Sequence, residues 1–283
     1  MTNSSQVLYF TLTAYFDIGG LKYLYFMMVM CFYVLIVGSN VLLIAVICVN
    51  RSLHEPMFLF LCSLFVNELF GSLGLFPFLL VQILSDVHRV SAPLCFLQIF
   101  CVYSYAAVEV LNLAVMSYDR YVAICFPLQY NSTMTDRKVA LLIALTWALP
   151  VLATVVLVSL SAPLRLCGNV IDKVFCGNFS IVKLSCSNTS VNNVYGLVLT
   201  VVSIVAPLVL ILYTYGKILE ILQSRFDLSR VPPLLAIVLS LYFLTCQPLF
   251  NPALYGLKMA AIRDACKRLL CGENAAAAAA SPA

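Results

Sequence analysis

Long apolar runs separated by short polar stretches dominate the pattern of the chain. Six runs reach the roughly 20 residues that a helix needs to cross a bilayer, and they lie near residues 23–49, 57–84, 95–120, 139–160, 192–216 and 231–257. Each run is continuously apolar, whereas the strands of a membrane barrel alternate apolar and polar residues. The pattern therefore predicts an all-α fold, a polytopic membrane helical bundle over residues 23–257.

Composition agrees with this prediction and excludes several classes of protein. Of the 283 residues, 63% are hydrophobic and 10% are charged, which is incompatible with the largely polar surface of a soluble domain. The net charge of +4 is spread thinly and forms no patch for nucleic acid. No catalytic triad, zinc spacing or phosphate loop is visible. We expect a non-enzyme without an organic cofactor, surrounded by membrane lipid.

The two ends of the chain differ from the apolar runs. Residues 1–22 show no signal-peptide pattern and are predicted to form an extracellular N-terminus. Basic and apolar residues alternate over residues 258–272, as in an amphipathic helix on the inner leaflet. Residues 273–283 are rich in alanine and are expected to be disordered.

Four of the twelve cysteines fall on one side of the predicted bundle. Cys95 begins the third run, while Cys167, Cys176 and Cys186 lie in the long loop between the fourth and fifth runs. Four cysteines on one side predict two disulfides in an oxidising compartment. Spacing alone leaves three pairings open.

Glycosylation sequons support an extracellular assignment for that same side. They begin at Asn3, Asn178 and Asn188, whereas a fourth at Asn131 lies on the opposite side, where no glycosyltransferase acts. The basic residues of the short loops follow the positive-inside tendency, with Arg51, Arg120, Arg137 and Lys138 inside against Arg89 outside. The N-terminus is therefore predicted to be outside.

The end of the third run carries the most informative motif. Met116–Cys125 reads MSYDRYVAIC, which resembles the MAYDRYVAIC signature of olfactory receptors, a branch of the rhodopsin-like G-protein-coupled receptors; Ser117 is the one departure. Asn251–Tyr255 repeats the family's Asn-Pro-x-x-Tyr switch. Three single residues match family landmarks in the first, fourth and fifth helices: Asn40, Trp147 and Pro207.

The resemblance implies a receptor for a small odorant that couples to a stimulatory G protein at the plasma membrane. It favours the pairings Cys95–Cys176 and Cys167–Cys186. In the family, the arginine of the Asp-Arg-Tyr triplet is held by the preceding aspartate at rest and is freed to meet the G protein. The residues that carry this switch here are Asp119, Arg120, Tyr121, Tyr215, Asn251, Pro252 and Tyr255.

The family's ligand pocket lies along the outer half of the third helix. The matching residues here are Val102, Tyr103, Ala106 and Ala107. They suit a small, mainly hydrophobic ligand held by a few hydrogen bonds. Ordinary helix packing explains such residues equally well.

Two acidic residues, Glu68 and Glu109, interrupt the second and third apolar runs. A charge at such a depth costs at least about 2.5 kcal/mol and usually marks a functional interior site. The resemblance places both near the family's sodium pocket, so we expect them to bind a sodium ion or to share a proton. The alternative is a protonated glutamate that bonds a neighbouring helix.

The region after the fifth run departs from the family, whose receptors have seven spans. Tyr215–Glu220 resembles the inner end of the fifth helix, and Leu222–Arg230 resembles the approach to the seventh in fish-type olfactory receptors. The sixth helix is therefore expected to be missing. The alternative function is a non-signalling membrane protein: retained in the endoplasmic reticulum, pairing with full-length receptors, or the product of a decayed gene.

Replacing the buried acids tests the sodium hypothesis. Glu68→Gln and Glu109→Gln are each expected to abolish any difference in thermal midpoint or ligand affinity between sodium and choline buffers, because a neutral amide cannot balance a cation. If the sodium dependence stays unchanged in both variants, the acids only pack.

Overall fold

The computed structural model describes residues 7–15 and 19–226. Several predictions fall on residues outside these ranges: the span 231–257, the tail 258–272, the end 273–283, the glycosylation site Asn3, and the switch residues Asn251, Pro252 and Tyr255. They stay predictions.

Within the described residues the chain is almost entirely helical, as predicted. Eight α-helices are present: α1 Leu21–Val49, α2 Pro56–Leu84, α3 Ala92–Cys125, α4 Tyr130–Thr133, α5 Asp136–Ser161, α6 Asn178–Lys183, α7 Ser190–Thr200 and α8 Ala206–Phe226. Short 3₁₀ turns cover Arg51–Leu53 and Pro127–Gln129, and a π-helical turn, Val201–Val205, joins α7 to α8.

Five stretches of the described chain are long and apolar enough to cross a membrane. They are α1, α2, α3, α5 and the continuous stretch Ser190–Ile218. Their exposed side chains are largely apolar; Leu24, Leu141 and Leu197, for example, are 66%, 58% and 67% exposed. An apolar surface of this extent suits contact with lipid.

The fifth span is longer than the predicted run at 192–216. α8 continues to Phe226, so Leu222–Phe226 extends the same helix. The sequence after Tyr215 is rich in strong helix formers, and Lys217 Nζ lies 2.8 Å from Glu220 Oε2 on the same helix face. The helix therefore continues beyond the apolar run that spans the membrane.

A small sheet was not predicted. The strands are β1 Tyr9–Leu12, β2 Arg89–Ser91 and β3 Val170–Ile171, and they pair in the order β2-β1-β3. The central strand, β1, runs antiparallel to β2 and parallel to β3. Alternate residues of β1 point inward, and Phe10 and Leu12 are 0% and 2% exposed. The N-terminal segment is thus held between two loops, because its alternating pattern buries one face.

The described chain divides into two compact units. The first, called the disulfide unit, consists of the described residues within Met1–Val34, Phe70–Leu111 and Ala144–Val209. The second, called the Asp-Arg-Tyr unit, consists of the described residues within Leu35–Leu69, Asn112–Ile143 and Leu210–Ala283.

The core of the disulfide unit lies directly beneath the sheet. It joins strand residues to the start of α3, the long loop and α6, and it consists of Phe10, Leu12, Val90, Cys95, Ile99, Ile171, Cys176 and Ile181. Cys95 is bonded to Cys176, and Cys167 to Cys186, with Cα–Cα distances of 5.4 and 5.5 Å. This is the pairing that the resemblance favours.

Glycines allow α2 and α3 to approach closely within the same unit. A Cβ atom on Gly71 would lie 2.3 Å from the ring of Tyr105, and one on Gly74 would lie 2.6 Å from Cys101 Cβ. Small residues one turn apart are the usual means of close helix packing in membranes.

The core of the Asp-Arg-Tyr unit lies between α1 and α2. It consists of Leu43, Val46, Ile47, Leu53, Phe58, Leu61, Leu64 and Phe65. Asn40 is fully buried and donates from Nδ2 to the Ile36 carbonyl at 2.9 Å. Its amide is therefore partly satisfied within its own helix.

The two disulfides are expected to differ in their contribution to stability. Cys95→Ser opens a loop of sequence separation 81 and Cys167→Ser one of 19, so the chain-entropy relation gives losses of about 4.5 and about 3 kcal/mol. Thermal unfolding in detergent measures both. Cys31→Ser, which removes an exposed free thiol, is the control, and a Cys95→Ser midpoint equal to that of the control would contradict the expectation.

Candidate functional site

All four residues predicted to contact a ligand line one cavity of the disulfide unit. The cavity has a volume of about 570 Å³ and lies among α3, α5, α6, α7 and the π-helical turn. Its described lining is Val102, Tyr103, Ala106, Ala107, Thr154, Leu157, Asn178, Phe179, Val182, Asn192, Asn193, Gly196, Leu197, Leu199, Thr200, Ser203 and Ile204.

The α3 wall follows directly from helix geometry. Val102, Tyr103, Ala106 and Ala107 are spaced so that they share one face of the helix. The two alanines leave space where longer side chains would fill the interior. The cavity therefore exists partly because this face of α3 carries short side chains.

A chain of buried polar groups lies at the α6 side of the cavity. Asn192 Nδ2 donates to the Leu160 carbonyl at 2.9 Å and to Ser161 Oγ at 3.3 Å, and Ser161 Oγ donates to Asn178 Oδ1 at 2.7 Å. Asn192 and Asn178 are each 6% exposed and Ser161 is 1% exposed. The hydrogen bonds fix both amides against the end of α5.

Tyr103 belongs to this polar group as well. Its phenol lies beside the backbone N–H groups of Asn178 and Phe179, at the start of α6. The same side chain packs against the core beneath the sheet. Tyr103 therefore connects the cavity to the core that holds the long loop in place.

Two of the predicted glycosylation sites differ in their surroundings. The Asn178 side chain is buried, and its Oδ1 accepts a hydrogen bond from the Ser161 hydroxyl; glycosylation of Asn178 stays a prediction. Asn188 is exposed, and its Oδ1 accepts from the backbone of Ser190. Glycosylation of Asn188 stays a prediction.

Sequence reasoning found the α3 wall and missed the walls opposite to it. Asn178 was interpreted as a sequon, and Thr154 and Asn192 were treated as parts of apolar spans. A usable signal was present, because polar residues inside apolar runs tend to face the protein interior. Which of them converge on one cavity depends on contacts between distant segments.

The described switch residues meet in the Asp-Arg-Tyr unit. Asp119 is 1% exposed and accepts a hydrogen bond from Tyr130 Oη at 2.8 Å. Arg120 interacts electrostatically with Asp119, Tyr130 and Tyr215, and the Tyr121 ring packs edge-on to Phe126 at 5.7 Å. α3, α4 and α8 thus bring together residues that are far apart in sequence.

Tyr130 is a partner of the triplet that the sequence did not reveal. Burial, and then its hydrogen bond to Asp119, raise the pKa of the Tyr130 phenol, so it stays a donor at physiological pH. The ion pairs among the described residues are Lys22–Asp86 and Lys217–Glu220. Asp119 takes part in neither of these ion pairs, and the hydrogen bond that it accepts comes from Tyr130.

The two membrane acids lie in different units. Glu68 is 2% exposed in the Asp-Arg-Tyr unit, and Glu109 is 8% exposed in the disulfide unit. Among the described residues, no three His, Cys, Asp or Glu side chains are grouped to hold a metal. A sodium ion, which would also use neutral oxygen ligands, stays a prediction.

Comparison with known proteins identifies the family. The family model described as "7 transmembrane receptor (rhodopsin family)" matches residues 39–257. Olfactory receptor 11A1 of Homo sapiens is 32% identical over 303 residues, which cover 95% of this chain and 96% of the relative. Olfactory receptor 6E1 of Mus musculus is 35% identical over 220 residues, 77% of this chain and 70% of the relative. The chain therefore belongs to the rhodopsin family of seven-transmembrane receptors and, within it, to the olfactory receptors.

This membership settles two of the sequence predictions. Olfactory receptors are receptors and not enzymes, as expected. The chain is a multi-pass membrane protein with the all-α bundle predicted from its apolar runs.

Removing the Tyr130 hydroxyl tests its bond to Asp119. Tyr130→Phe is expected to cost about 1–3 kcal/mol, because a buried acceptor loses its donor. The measurement is the thermal midpoint in detergent, compared with Tyr213→Phe, which alters a phenol that is 57% exposed in the same unit. Equal midpoints for the two variants would show that the bond contributes nothing measurable.

Proposed function

We propose that this olfactory receptor binds a small odorant in the cavity of the disulfide unit. The observation that carries the proposal is the convergence of Val102, Tyr103, Ala106 and Ala107 on that one cavity. A volume of about 570 Å³ lies within the range of roughly 300–1,000 Å³ that is usual for small-molecule sites.

The chemistry of the lining supports a small, mainly apolar ligand. Aliphatic and small side chains form most of the wall, while a few hydroxyl and amide groups lie among them. Such a site binds through burial of apolar surface and orients its ligand through a few hydrogen bonds.

Coupling to a stimulatory G protein is proposed for the Asp-Arg-Tyr unit. The support is that Asp119, Arg120, Tyr121 and Tyr215 lie in one unit, with Arg120 acting electrostatically on its neighbours. A ligand that favours the state with Arg120 released would shift the population toward coupling. The receptor then acts at the plasma membrane with its N-terminus outside.

We also propose that the chain is a truncated form that lacks the sixth helix. The alignment with human olfactory receptor 11A1 is 303 positions long, whereas the chain has 283 residues. Some residues of the relative therefore have no counterpart in this chain. The sequence after α8 also offers one further span-length apolar run, 231–257.

The alternative function follows from the same gap. A receptor without its sixth helix would lose the element that opens the G-protein cavity in this family. The chain would then be a non-signalling membrane protein, retained in the endoplasmic reticulum, pairing with full-length receptors, or produced by a decayed gene.

Filling the cavity tests odorant detection. Cells that express the chain alone are expected to raise cyclic AMP on addition of an active odorant from a broad panel. Ala106→Phe should weaken that response at least about tenfold, because the ring occupies ligand volume and overpacking is costly. The matched control is Ala148→Phe, which alters an exposed alanine of α5 outside the cavity.

Surface staining decides how a negative result is interpreted. If the chain reaches the surface and no odorant raises cyclic AMP, the signalling proposal is wrong and the non-signalling alternative stands. If Ala106→Phe and Ala148→Phe respond alike, the ligand binds elsewhere.

A further inference from the structure

The described lining of the cavity in the disulfide unit carries no charged side chain. None of its described lining residues is Asp, Glu, Lys, Arg or His. Residues 231–257, the next apolar run along the chain, contain none either. A charged ligand would lose its hydration in this cavity and gain no counter-ion.

The orientation of the two buried amides can be derived from one carbonyl. The Leu160 carbonyl can only accept, so the Asn192 group that contacts it must be Nδ2. Ser161 Oγ also accepts a hydrogen bond from this Nδ2 and donates its own hydrogen bond to Asn178 Oδ1. Among the described residues no hydrogen bond engages Asn178 Nδ2, and the Asn178 side chain lines the cavity.

Tyr103 supplies a second donor at the same end. Its phenol oxygen lies beside the backbone of Asn178 and Phe179, whose N–H groups can only donate. A hydroxyl has two acceptor lone pairs and one donor hydrogen. Because the neighbouring N–H groups face the lone pairs, the hydroxyl hydrogen can donate to a ligand.

Hydroxyl groups on the opposite wall are already engaged. Thr200 Oγ1 donates to the Gly196 carbonyl at 2.8 Å, and Ser203 Oγ donates to the Leu199 carbonyl. These bonds stay within the helix, so the wall formed by α7 and the π-helical turn presents mainly apolar surface. The donors of Tyr103 and Asn178 thus lie together beside α6.

From this arrangement we infer that the cavity selects uncharged molecules with a carbonyl oxygen at one end and a hydrocarbon skeleton behind it. The carbonyl oxygen accepts from Tyr103 Oη and from Asn178 Nδ2, because its two lone pairs suit two donors. The skeleton lies against Ala106, Leu199 and Ile204. Amines and carboxylates are rejected. This inference rests on the proposed ligand cavity and adds the chemical class of the ligand.

A matched ligand series tests the inference without requiring signalling. The purified full chain is heated in lipid nanodiscs with linear octyl, cyclohexyl and phenyl skeletons, each as hydrocarbon, aldehyde, amine and carboxylate. Binding to the folded state raises the thermal midpoint. For at least one skeleton, the aldehyde is expected to bind roughly tenfold more tightly than the hydrocarbon. The carboxylates and the octyl and cyclohexyl amines, which are charged at neutral pH, are expected to give no shift, whereas the phenyl amine is uncharged and is left out of this comparison.

Loss of the Tyr103 hydroxyl should remove the preference for the carbonyl. Tyr103→Phe keeps the ring, so the affinity for the hydrocarbon stays and the advantage of the aldehyde falls to about threefold or less. Tyr195→Phe is the matched control, because Tyr195 Oη donates to the Ala153 carbonyl at 2.8 Å and does not line this cavity. Equal aldehyde preference in both variants would overturn the assignment of Tyr103.

A substitution that creates amine binding tests the inference independently, because poor folding cannot produce a new binding activity. Ser203→Asp introduces a carboxylate into the cavity wall and is expected to admit the amine that the wild-type chain rejects, through a charge-assisted contact. Ser203→Asn places an uncharged group of similar shape there and should leave the amine excluded. An amine that still gives no shift with Ser203→Asp would contradict the claim that missing countercharge causes the rejection.

The outcomes separate this inference from the proposed function. If no member of any class shifts the midpoint, the cavity is not a ligand site and both proposals fail. If hydrocarbons, amines or carboxylates stabilise the chain as well as aldehydes do, the cavity binds ligands and only the selectivity is wrong.

Discussion

The bond between Cys95 and Cys176 is the constraint on which the cavity depends. It holds the long loop against the start of α3, and Gln98 Oε1 strengthens the attachment by accepting the Cys176 backbone N–H at 2.8 Å. Asn178 follows two residues after the bond and opens α6, so the loop reaches Tyr103, which lies about 12 Å farther along α3. Without this attachment, the polar end of the cavity would have no fixed position.

The two units use buried polar groups for different purposes. In the disulfide unit, neutral amides and hydroxyls satisfy one another and leave donors at the edge of an uncharged cavity. In the Asp-Arg-Tyr unit, a buried carboxylate is held by a phenol beside a guanidinium. A low-dielectric interior strengthens both arrangements. The first suits recognition of a neutral ligand, and the second suits an element with two alternative states.

Prediction from sequence succeeded where the pattern itself carried the information. Apolar runs of span length identified the five spans of the described chain, and MSYDRYVAIC indicated the family and the location of Asp119–Tyr121 within α3. It was incomplete where a local signal has two meanings. Asn178 is part of a sequon and also a buried amide, and the polar residues after Tyr215 continue a helix. Tyr130 carried no signal, because its role depends on the position of Asp119 eleven residues earlier.

The sequence by itself determined the membrane setting, the helical class and the family, because hydrophobic length and short motifs are local properties of the chain. The tertiary structure decided the rest. It alone placed β1 between two loops, joined α3, α5, α6 and α7 around one cavity, and turned Asn178 inward toward Ser161. These features rest on contacts between segments more than a hundred residues apart in some cases, such as Thr11 with Val170. No local pattern specifies such a contact, because its free energy depends on both partners and on the packing that brings them together.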